Sequence, residues 1–453
     1  MAERTIAAIS TPSGEGAIGV IRISGEDAIA VADKVFTPVN GGSLSALGGY
    51  RAAYGKISDN ESFLDNGVAL VFRAPKSYTG EDVVEISVHG GALMLRSVLR
   101  AVLNSGAYPA DAGEFTKRAF LNGKLDLTQA ESIMGLISAE NEAGLKMSRA
   151  ALNGRISQKI NEIEKNLVTA AASIAVYSDY PEEDLDDLSP EVFGKMLGEA
   201  KAALDEMLSN YDTGKVLREG IATVIVGKPN VGKSTLMNLL SGEERSIVTD
   251  VAGTTRDVVE ETVTLGDITL RLADTAGIHS TDDKVESIGV TLAEKRMDTA
   301  QLVLAVFDST RPLDGDDKRI INSLKADNTI IIINKTDCGN SVKAESFDGF
   351  KTVEISAKSG DGFENLSKLV KGVAIKGNLK PDSAVLLSER QRACAKRAVD
   401  AIVQATDALL EGNTIDAVGV CVDDAVAALL ELTGKRVTNE VADEIFRRFC
   451  VGK

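Results

Sequence analysis

The chain has 453 residues, more than one hydrophobic core usually organises, so we expect about three domains. Its composition, with 44% hydrophobic and 26% charged residues, is typical of a soluble globular protein, and no segment approaches the ~18 apolar residues of a membrane-spanning helix. The net charge of −17 argues against a protein that coats nucleic acid nonspecifically, although it allows RNA contact through a local basic patch or a basic partner.

Residues 1–118 have the pattern of a mixed α/β domain. Short β-type runs occur at 20–23, 68–72 and 83–88, separated by glycine-containing turns, and a helix-type stretch covers 91–103. The segment Gly14-Glu-Gly-Ala-Ile-Gly19 fits GxGxxG, a dinucleotide-binding pattern. That pattern must open a helix, whereas β-branched residues and a glycine follow here, so we predict a loop that enters a strand.

From 119 to 218 the periodicity becomes helical. Apolar residues recur every three or four positions, which places them on one face of a long helix: Leu152, Ile156, Ile160, Ile163, Leu167, Ala170 and Ile174. An acidic stretch at 181–190 predicts a loop, and helix resumes at 191–209. Residues 219–378 alternate strands and helices, and helical periodicity returns in 379–453.

The simplest arrangement is a discontinuous helical domain made of 119–218 and 379–453, with an α/β domain of residues 219–378 inserted in it. An insertion is physically reasonable because the two ends of a compact domain usually lie close together. The expected fold class is therefore a multidomain α/β and α protein, with an N-terminal α/β domain, the divided helical domain and the inserted domain.

The inserted segment begins with a phosphate-binding pattern. The apolar run 221–226 has the composition of a buried parallel strand and leads into Gly227-Lys-Pro-Asn-Val-Gly-Lys-Ser234, which fits GxxxxGK[ST]. Glycines let backbone N–H groups face phosphates, Lys233 supplies a charge for the β and γ oxygens, and Ser234 offers a hydroxyl to Mg²⁺. A chance glycine-rich turn is the alternative, which the strand before the motif and the helix after it disfavour.

Further elements, in order, predict a Ras-like P-loop GTPase domain. Asp274-Thr-Ala-Gly277 follows a strand-like run, and Thr255 is the expected switch-loop ligand of Mg²⁺. Asp337, in Asn334-Lys-Thr-Asp337, can accept from both N1–H and the 2-amino group of guanine, which adenine cannot match. Ser356-Ala-Lys358 supplies a second base contact. The predicted GTP contacts are Asn230, Val231, Gly232, Lys233, Ser234, Thr235, Thr249, Asp250, Val251, Ala252, Gly253, Thr254, Thr255, Asp274, Thr275, Ala276, Gly277, Asn334, Lys335, Asp337, Ser356, Ala357 and Lys358.

The residue after Gly277 is Ile278, where Ras-like GTPases have a glutamine that orients the attacking water. Because isoleucine cannot hydrogen-bond, hydrolysis needs another water-orienting group and another positive charge. We expect Glu286 to be the first and a monovalent cation to be the second, held by Asn230 and backbone carbonyls of 249–254. From the residues alone, a solvated Glu286 and an Asn230 that only shapes the turn are equally good interpretations.

Cysteine and histidine usage indicates little metal chemistry. The four cysteines form no CxxC pair and there are two histidines, so no structural zinc site is expected. With no secretory signal in the first residues, these features predict a cytoplasmic protein with reduced thiols. Cys450 lies near Arg447, Arg448 and Lys453, whose charges favour a reactive thiolate, although a buried helix cysteine is the commoner alternative. His89 is expected in a turn or the core rather than as a ligand.

The P-loop motif and Gly253-Thr-Thr-Arg-Asp257, set between helical segments and followed by Phe449-Cys-Val-Gly-Lys453, resemble the MnmE (TrmE) family of tRNA-modification GTPases. The resemblance covers essentially the whole chain. Signature stretches in the N-terminal part are Ile21-Arg-Ile-Ser-Gly25, Tyr78-Thr-Gly-Glu-Asp82, His89-Gly-Gly91 and the segment 113–126. The departures are conservative, with Val451 where isoleucine is usual and Lys228 where arginine is common.

The resemblance implies that the N-terminal domain binds a folate one-carbon donor, 5-formyl- or methylene-tetrahydrofolate, and forms a homodimer. The implied folate contacts are Arg22, Glu85, Lys124 and Lys453. Their chemistry suits the ligand, because cations pair with its carboxylates and a carboxylate accepts from its pterin N–H groups.

The resemblance also implies a potassium-activated GTPase whose G domains approach each other across the dimer. The implied K⁺ ligands are Asn230, Thr249, Val251 and Thr254, and the catalytic glutamate of the family falls on Glu286. With an FAD-dependent MnmG-type partner, the implied reaction installs an aminomethyl or carboxymethylaminomethyl group at carbon 5 of the wobble uridine of certain tRNAs. Cys450 matches a family cysteine that is important for the modification. A basic partner holding the tRNA would reconcile the substrate with the negative charge of this chain.

Two other functions stay open at this stage. A ribosome-assembly GTPase would share the G domain and act as a switch without base chemistry, but it predicts an appended RNA-binding module and no FCVGK motif. The second is a folate-dependent aminomethyl transferase with a regulatory G domain, for which wobble-uridine modification would stay intact in a deletion strain.

Overall fold

In the computed structural model, the described residues are 4–12, 14–60, 62–139, 141–179, 190–242, 261–265, 268–272, 300–374 and 383–453. They form two compact units. The first contains the described residues of Met1–Met134, Ile160–Pro181 and Asn413–Lys453, and the second contains those of Gly135–Lys159 and Glu182–Gly412. Among the described residues, no helix combines the length and the apolarity required to cross a membrane.

Among the described residues, each unit contains one β-sheet. The strands of the first sheet are β1 (Ile6–Ile9), β2 (Ile18–Ser24), β3 (Phe36–Pro38), β4 (Arg51–Asp59), β5 (Ser62–Phe72), β6 (Val83–His89) and β7 (Tyr108–Pro109). The strands of the second sheet are β8 (Ile221–Val226), β9 (Glu261–Leu265), β10 (Ile268–Leu272), β11 (Leu302–Asp308), β12 (Thr329–Asn334) and β13 (Lys351–Glu354).

The described helices follow in chain order. They are α1 (Ala28–Val35), α2 (Ala92–Asn104), α3 (Glu114–Leu121), α4 (Leu127–Ile137), α5 (Glu142–Leu152), α6 (Arg155–Asp179), α7 (Pro190–Glu219), α8 (Lys233–Gly242), α9 (Gly315–Ser323), α10 (Phe363–Ala374), α11 (Glu389–Leu410), α12 (Ile415–Thr433) and α13 (Asn439–Phe446). Short 3₁₀ turns cover Leu44–Ala46 and Ala344–Phe347.

The first sheet has the strand order β3-β4-β5-β6-β2-β1-β7. Its strand pairs are antiparallel except for β1 and β7. Ile21 and Ile23 of β2 and Ile86 of β6 share one core with Val98 of α2. Because side chains alternate along a strand, the residues between these positions face away from the helices. This second face carries the N-terminal candidate site.

The predicted α/β pattern of the N-terminal segment is confirmed. The runs 20–23, 68–72 and 83–88 lie within β2, β5 and β6, and the predicted helix 91–103 corresponds to α2. The GxGxxG segment leads into β2, whose first residue is Ile18, and opens no helix. The predicted loop that enters a strand is therefore confirmed, and the segment lacks the helix that a dinucleotide-binding motif opens.

The long amphipathic helix is present as α6, but it begins later than predicted. Its predicted inward face is buried along its length: Ile156, Ile160, Ile163, Leu167, Ala170 and Ile174. Leu152 was wrongly included, since it is the last residue of α5. The interruption falls at Gly154, whose φ of 81° is a left-handed conformation that ends helices. The apolar spacing continues across this break, so periodicity alone did not reveal it.

The second sheet has the order β13-β12-β11-β8-β10-β9, and its pairs are parallel except for β9 and β10. The predicted strand 221–226 coincides with β8, which lies between β10 and β11. Helix α7 extends past the predicted end at 209 to Glu219, because buried Tyr211 and Leu217 continue its apolar face. The predicted acidic loop at 181–190 lies outside the described residues except for Pro190, where α7 begins. The carboxyl ends of parallel β8, β11 and β12 meet at one edge, where ligands of such sheets bind.

Candidate functional site

The P-loop follows β8 and leads into α8. Gly227 has a φ of 147° and Gly232 a φ of 99°, values that favour glycine. A Cβ on Gly227 would collide with the carbonyl oxygen of Val306, and one on Gly232 would collide with the side-chain amide of Asn334. These two glycines therefore let the loop lie close against the carboxyl ends of the neighbouring strands. The loop delivers the N-terminus of α8 to the same edge.

Lys233 folds back over the loop that precedes it. Its Nζ donates to the carbonyl oxygens of Gly227 and Lys228, both at 2.7 Å. Burial lowers the pKa of Lys233, because a desolvated ammonium is less stable. The amine is held by two neutral acceptors, and a phosphate oxygen would be a stronger partner for its charge. The next residue, Ser234, is exposed, and its hydroxyl has no hydrogen-bond partner within the described part of the chain.

Asn334 joins the P-loop to the loop of residues 356–358, where a second base contact is predicted. The side chain is 2% exposed, its Nδ2 donates to the carbonyl of Val231 at 2.9 Å, and its Oδ1 accepts from the Ala357 N–H at 2.9 Å. Both ends of the amide are used within the protein. Asn334 therefore holds the P-loop and the 356–358 loop in a fixed relationship.

Lys335 makes a second connection to the P-loop. Its Nζ donates to the carbonyl oxygen of Asn230 and to Oδ2 of Asp308, each at 2.6 Å. Asn230 and Lys335 both have left-handed backbone conformations, with φ values of 65° and 67°. The side-chain amide of Asn230 is exposed and has no hydrogen-bond partner among the described residues. Its oxygen is thus available at the loop, and amide oxygens suit a hard cation.

Asp337 stands at the exposed end of this arrangement. A side-chain hydrogen bond from Ser356, followed by one from Cys338, lowers the pKa of Asp337. The carboxylate is therefore ionised near neutral pH and can act as a double acceptor. Ser356 is buried and its N–H donates to the carbonyl of Asp361 at 3.0 Å, which fixes the 356–358 loop. Lys358 is exposed beside it.

Several predicted contacts lie outside the described residues. They are the switch-loop residues Thr249, Asp250, Val251, Ala252, Gly253, Thr254 and Thr255, the motif residues Asp274, Thr275, Ala276 and Gly277, and the isoleucine and glutamate that follow, Ile278 and Glu286. Their roles stay predictions.

The first unit brings two of the predicted folate contacts together. Arg22 of β2 lies opposite Glu85 of β6 in the antiparallel register, and its Nε donates to Oε1 of Glu85 at 2.8 Å. The guanidinium carbon lies 5.2 Å from the ring centroid of Tyr78 and 5.5 Å from that of Phe115. Two aromatic rings thus fix the guanidinium by cation–π contacts. Within the described residues, no acceptor is found for its Nη2.

The segment 450–453 lies against the same place. Gly113 N–H donates to the carbonyl of Cys450 at 3.3 Å and Phe115 N–H to that of Lys453 at 3.1 Å. The Arg22 Nη1 donates to the carbonyl of Gly452 at 3.4 Å. Backbone contacts therefore bring Lys453 to the Arg22 region, and its folate contact stays a prediction.

The remaining N-terminal predictions have different surroundings. Lys124 is exposed after α3, and its Nζ donates to the carbonyl of Pro75 at 3.1 Å. The alternative of a buried helix cysteine is wrong for Cys450, which is exposed and follows the end of α13. Arg447 and Arg448 both pair with Glu444, at 3.4 and 3.7 Å, so their charges are directed toward that carboxylate.

His89 ends β6 with its ring largely exposed, and its Nδ1 lies 2.8 Å from Asp65 Oδ1. It is therefore neither a core residue nor a turn residue.

Sequence reasoning missed several residues at the two sites. Tyr78 and Phe115 lie within quoted signature stretches, but nothing in their spacing indicated that both rings would contact Arg22. Ser10, whose Oγ donates to the Gly452 carbonyl at 3.0 Å, and Asp308 had no motif signal at all.

Comparison with known proteins agrees with this organisation. The family description "GTP-binding protein TrmE N-terminus" matches residues 5–124, and "MnmE helical domain" matches 127–450. A protein of Carboxydothermus hydrogenoformans named tRNA modification GTPase MnmE is 40% identical over 461 residues, covering 100% of both chains. The protein of that name from Clostridioides difficile is 39% identical, covering 99% of each chain. The predicted fold class, with a TrmE-type N-terminal domain, a helical domain and a P-loop GTPase domain, is thus confirmed. The chain belongs to the MnmE family of tRNA modification GTPases.

Proposed function

We propose that this protein hydrolyses GTP at the P-loop of the second unit and acts in tRNA modification. The observation that carries the proposal is the pair of hydrogen bonds by which the Asn334 side chain connects the P-loop to the 356–358 loop. The ionised and exposed Asp337 lies three residues further along the chain. In this proposal, the P-loop amides bind the phosphates and the Asp337 carboxylate selects guanine at the same edge of the sheet. The family membership supports the same activity.

Magnesium fits the residues present. Ser234 offers an exposed hydroxyl at the start of α8 that has no partner among the described residues, and Thr255 is the proposed second protein ligand. Magnesium would neutralise charge on the phosphate oxygens.

Potassium also fits, since Asn230 offers an exposed amide oxygen at the P-loop. The proposed ligands are Asn230, Thr249, Val251 and Thr254. A cation there would supply the positive charge that the isoleucine-containing motif lacks, and Glu286 is the proposed water-orienting residue.

The first unit suits a folate. Arg22 has a guanidinium held by Glu85 and two rings, with Nη2 directed to no acceptor among the described residues. Such a group pairs well with a ligand carboxylate, while Glu85 can accept from pterin N–H groups. Lys124 and Lys453 would add positive charge, and a reduced folate such as 5-formyl- or methylene-tetrahydrofolate is the proposed ligand. The folate would supply the transferred carbon.

The proposed reaction places an aminomethyl or carboxymethylaminomethyl group at carbon 5 of the tRNA wobble uridine, together with an FAD-dependent MnmG-type partner. A homodimer and a cytoplasmic location complete the proposal. Cys450 is the proposed thiol of the modification step, and its exposure leaves it accessible. The segment boundaries 1–118, 119–218, 219–378 and 379–453 remain our proposed domains.

Two binding measurements test the proposal. Purified protein with Mg²⁺ should bind GTP in preference to ATP, and it should bind 5-formyl-tetrahydrofolate. A preference for ATP would exclude the GTPase assignment. GTP binding without folate binding would favour the ribosome-assembly alternative. Intact wobble-uridine modification in a deletion strain would exclude the tRNA reaction.

A further inference from the structure

Asp308 is a buried carboxylate beside the guanine-recognition segment. It is the last residue of β11 and lies next to Asn334 of β12 in the parallel register. Its exposure is 9%, and it belongs to none of the phosphate- or base-recognition motifs. A carboxylate is costly to bury unless it is paired, so its partners indicate its role.

Both oxygens of Asp308 are engaged. Oδ1 accepts from the N–H of Thr310 at 2.9 Å and from the Thr310 hydroxyl at 2.6 Å. Oδ2 accepts from the Lys335 ammonium at 2.6 Å. Burial raises the pKa of Asp308, but the bonds from Lys335 and Thr310 outweigh it and leave the pKa below its usual range. The group is therefore an ionised, immobilised partner for Lys335.

The Asp308–Lys335 pair also contacts the P-loop. Lys335 uses the same ammonium to bond the carbonyl of Asn230. Asn230 and Lys335 both adopt left-handed backbone conformations. Asparagine tolerates this conformation, but lysine rarely adopts it unless its surroundings hold it. The chain of contacts from Asp308 through Lys335 to Asn230 joins two such residues across the site.

The turn after β11 also supports the base-recognition loop directly. Ser309 N–H donates to the Asn334 carbonyl at 2.9 Å, and Ser341 N–H donates to the Ser309 carbonyl at 2.7 Å. The Ser309 hydroxyl donates to the carbonyl of Gly339 at 2.8 Å. Asp308 thus begins a turn that packs along the loop containing Asp337.

We propose that Asp308 is a positioning residue of the nucleotide site, which holds Lys335 against the P-loop and thereby sets the affinity for guanine nucleotides. The inference rests on the proposed guanine-nucleotide binding. It assigns no contact between Asp308 and the nucleotide itself. Removing the Asp308 charge should therefore weaken nucleotide binding only when Lys335 is present.

A double-mutant cycle tests this dependence. The dissociation constant of a fluorescent GDP analogue is measured for Asp308→Asn, Lys335→Met and the double variant. Each single variant should bind about 10-fold more weakly, the effect of losing one charge-assisted hydrogen bond. The double variant should bind no more weakly than Lys335→Met alone. Asp327→Asn is the matched control, because it removes the same charge at an exposed position before β12 and should leave binding unchanged.

Wild-type affinity in Asp308→Asn, or two independent losses that multiply in the double variant, would overturn the inference. Circular dichroism melting reports whether each variant is folded. If Asp308→Asn does not fold, Thr310→Val decides, because it removes only the hydroxyl bond to Oδ1 and should weaken binding about 3-fold. An unchanged affinity in that variant contradicts the positioning role. A wild-type protein that binds no GDP would instead defeat the proposed function.

Discussion

Arg22 and Glu85 face each other across two antiparallel strands, with the Arg22 Nε 2.8 Å from the Glu85 carboxylate. Their side chains are 14% and 26% exposed, so the pair is sheltered but reachable. A sheltered arginine whose Nη2 has no acceptor among the described residues is well suited to bind a carboxylate. The pair is therefore the natural place to test the folate proposal.

Arg22→Ala should weaken binding of 5-formyl-tetrahydrofolate by about 10-fold or more, because a charge-assisted partner of the ligand is lost. Isothermal titration calorimetry measures the change. Arg100→Ala, an exposed arginine on α2, serves as the control for loss of one positive charge in the same unit. An equal loss of folate affinity in both variants would show that Arg22 acts through net charge and makes no specific contact with the ligand.

Asp337→Asn should change the base preference. Xanthine has a carbonyl oxygen where guanine has its 2-amino group, so an amide N–H suits xanthine and mismatches guanine. We expect GTP affinity to fall about 100-fold and XTP affinity to rise. Competition binding with the two nucleotides measures the switch, and Asp348→Asn is an exposed control. Retained GTP preference would remove Asp337 from base recognition.

The potassium proposal predicts a much higher GTPase rate in KCl than in NaCl at equal ionic strength. Asn230→Gly is the informative variant, because glycine accepts the φ of 65° and removes only the side chain. This variant should lose the stimulation while keeping GDP affinity. If its rate still responds to KCl as in the wild type, Asn230 is not a cation ligand.

Glu286→Ala should retain nucleotide affinity and lose hydrolysis by about 100-fold, the usual effect of removing a group that activates water. Single-turnover measurement of phosphate release separates the chemical step from binding. Glu345→Ala, an exposed glutamate in the same unit, is the control. A normal rate in Glu286→Ala would assign water orientation to another residue.

Gly452→Ala should displace the segment 450–453. Gly452 has a φ of 94°, and a Cβ there would collide with the carbonyl oxygen of Ile9. We expect folate affinity to fall about 10-fold, since small misplacements of binding groups are costly. The reaction rate of Cys450 with a thiol reagent should change as well.

That rate is measured in a Cys338→Ser background, because Cys338 is also exposed. Val451→Ala, at a 60% exposed position, controls for general changes in the segment. Identical folate affinity and thiol reactivity in Gly452→Ala would show that the segment does not form part of the site.

Local patterns predicted much of the second unit. The strand β8, the P-loop and the carboxyl-end position of Asn334 follow from short runs of sequence with strong physical requirements. The hydrogen bond from Asn334 to the P-loop could not be predicted from these runs. Its partner Val231 is 103 residues away, and the contact depends on the packed sheet. Asp308 was missed for the same reason, since a lone aspartate at a strand end has many possible partners.

The N-terminal unit shows a similar division. Alternating apolar residues located β2 and β6, but the strand register that sets Arg22 opposite Glu85 cannot be obtained from alternation alone. The end of α5 was missed because the apolar period is continuous through Gly154. The sequence patterns did not contain a contact between distant residues in the first case, or the conformation of a single residue in the second.

The hydrogen bond between Arg22 and Gly452 joins residues 430 positions apart in the chain. During synthesis the ribosome produces β2 long before it produces its partner segment. The contact between Arg22 and Gly452 can therefore form only after residues 23–451 have been made. The proposed folate site, which includes Lys453, would therefore be complete only once residue 453 has been synthesised.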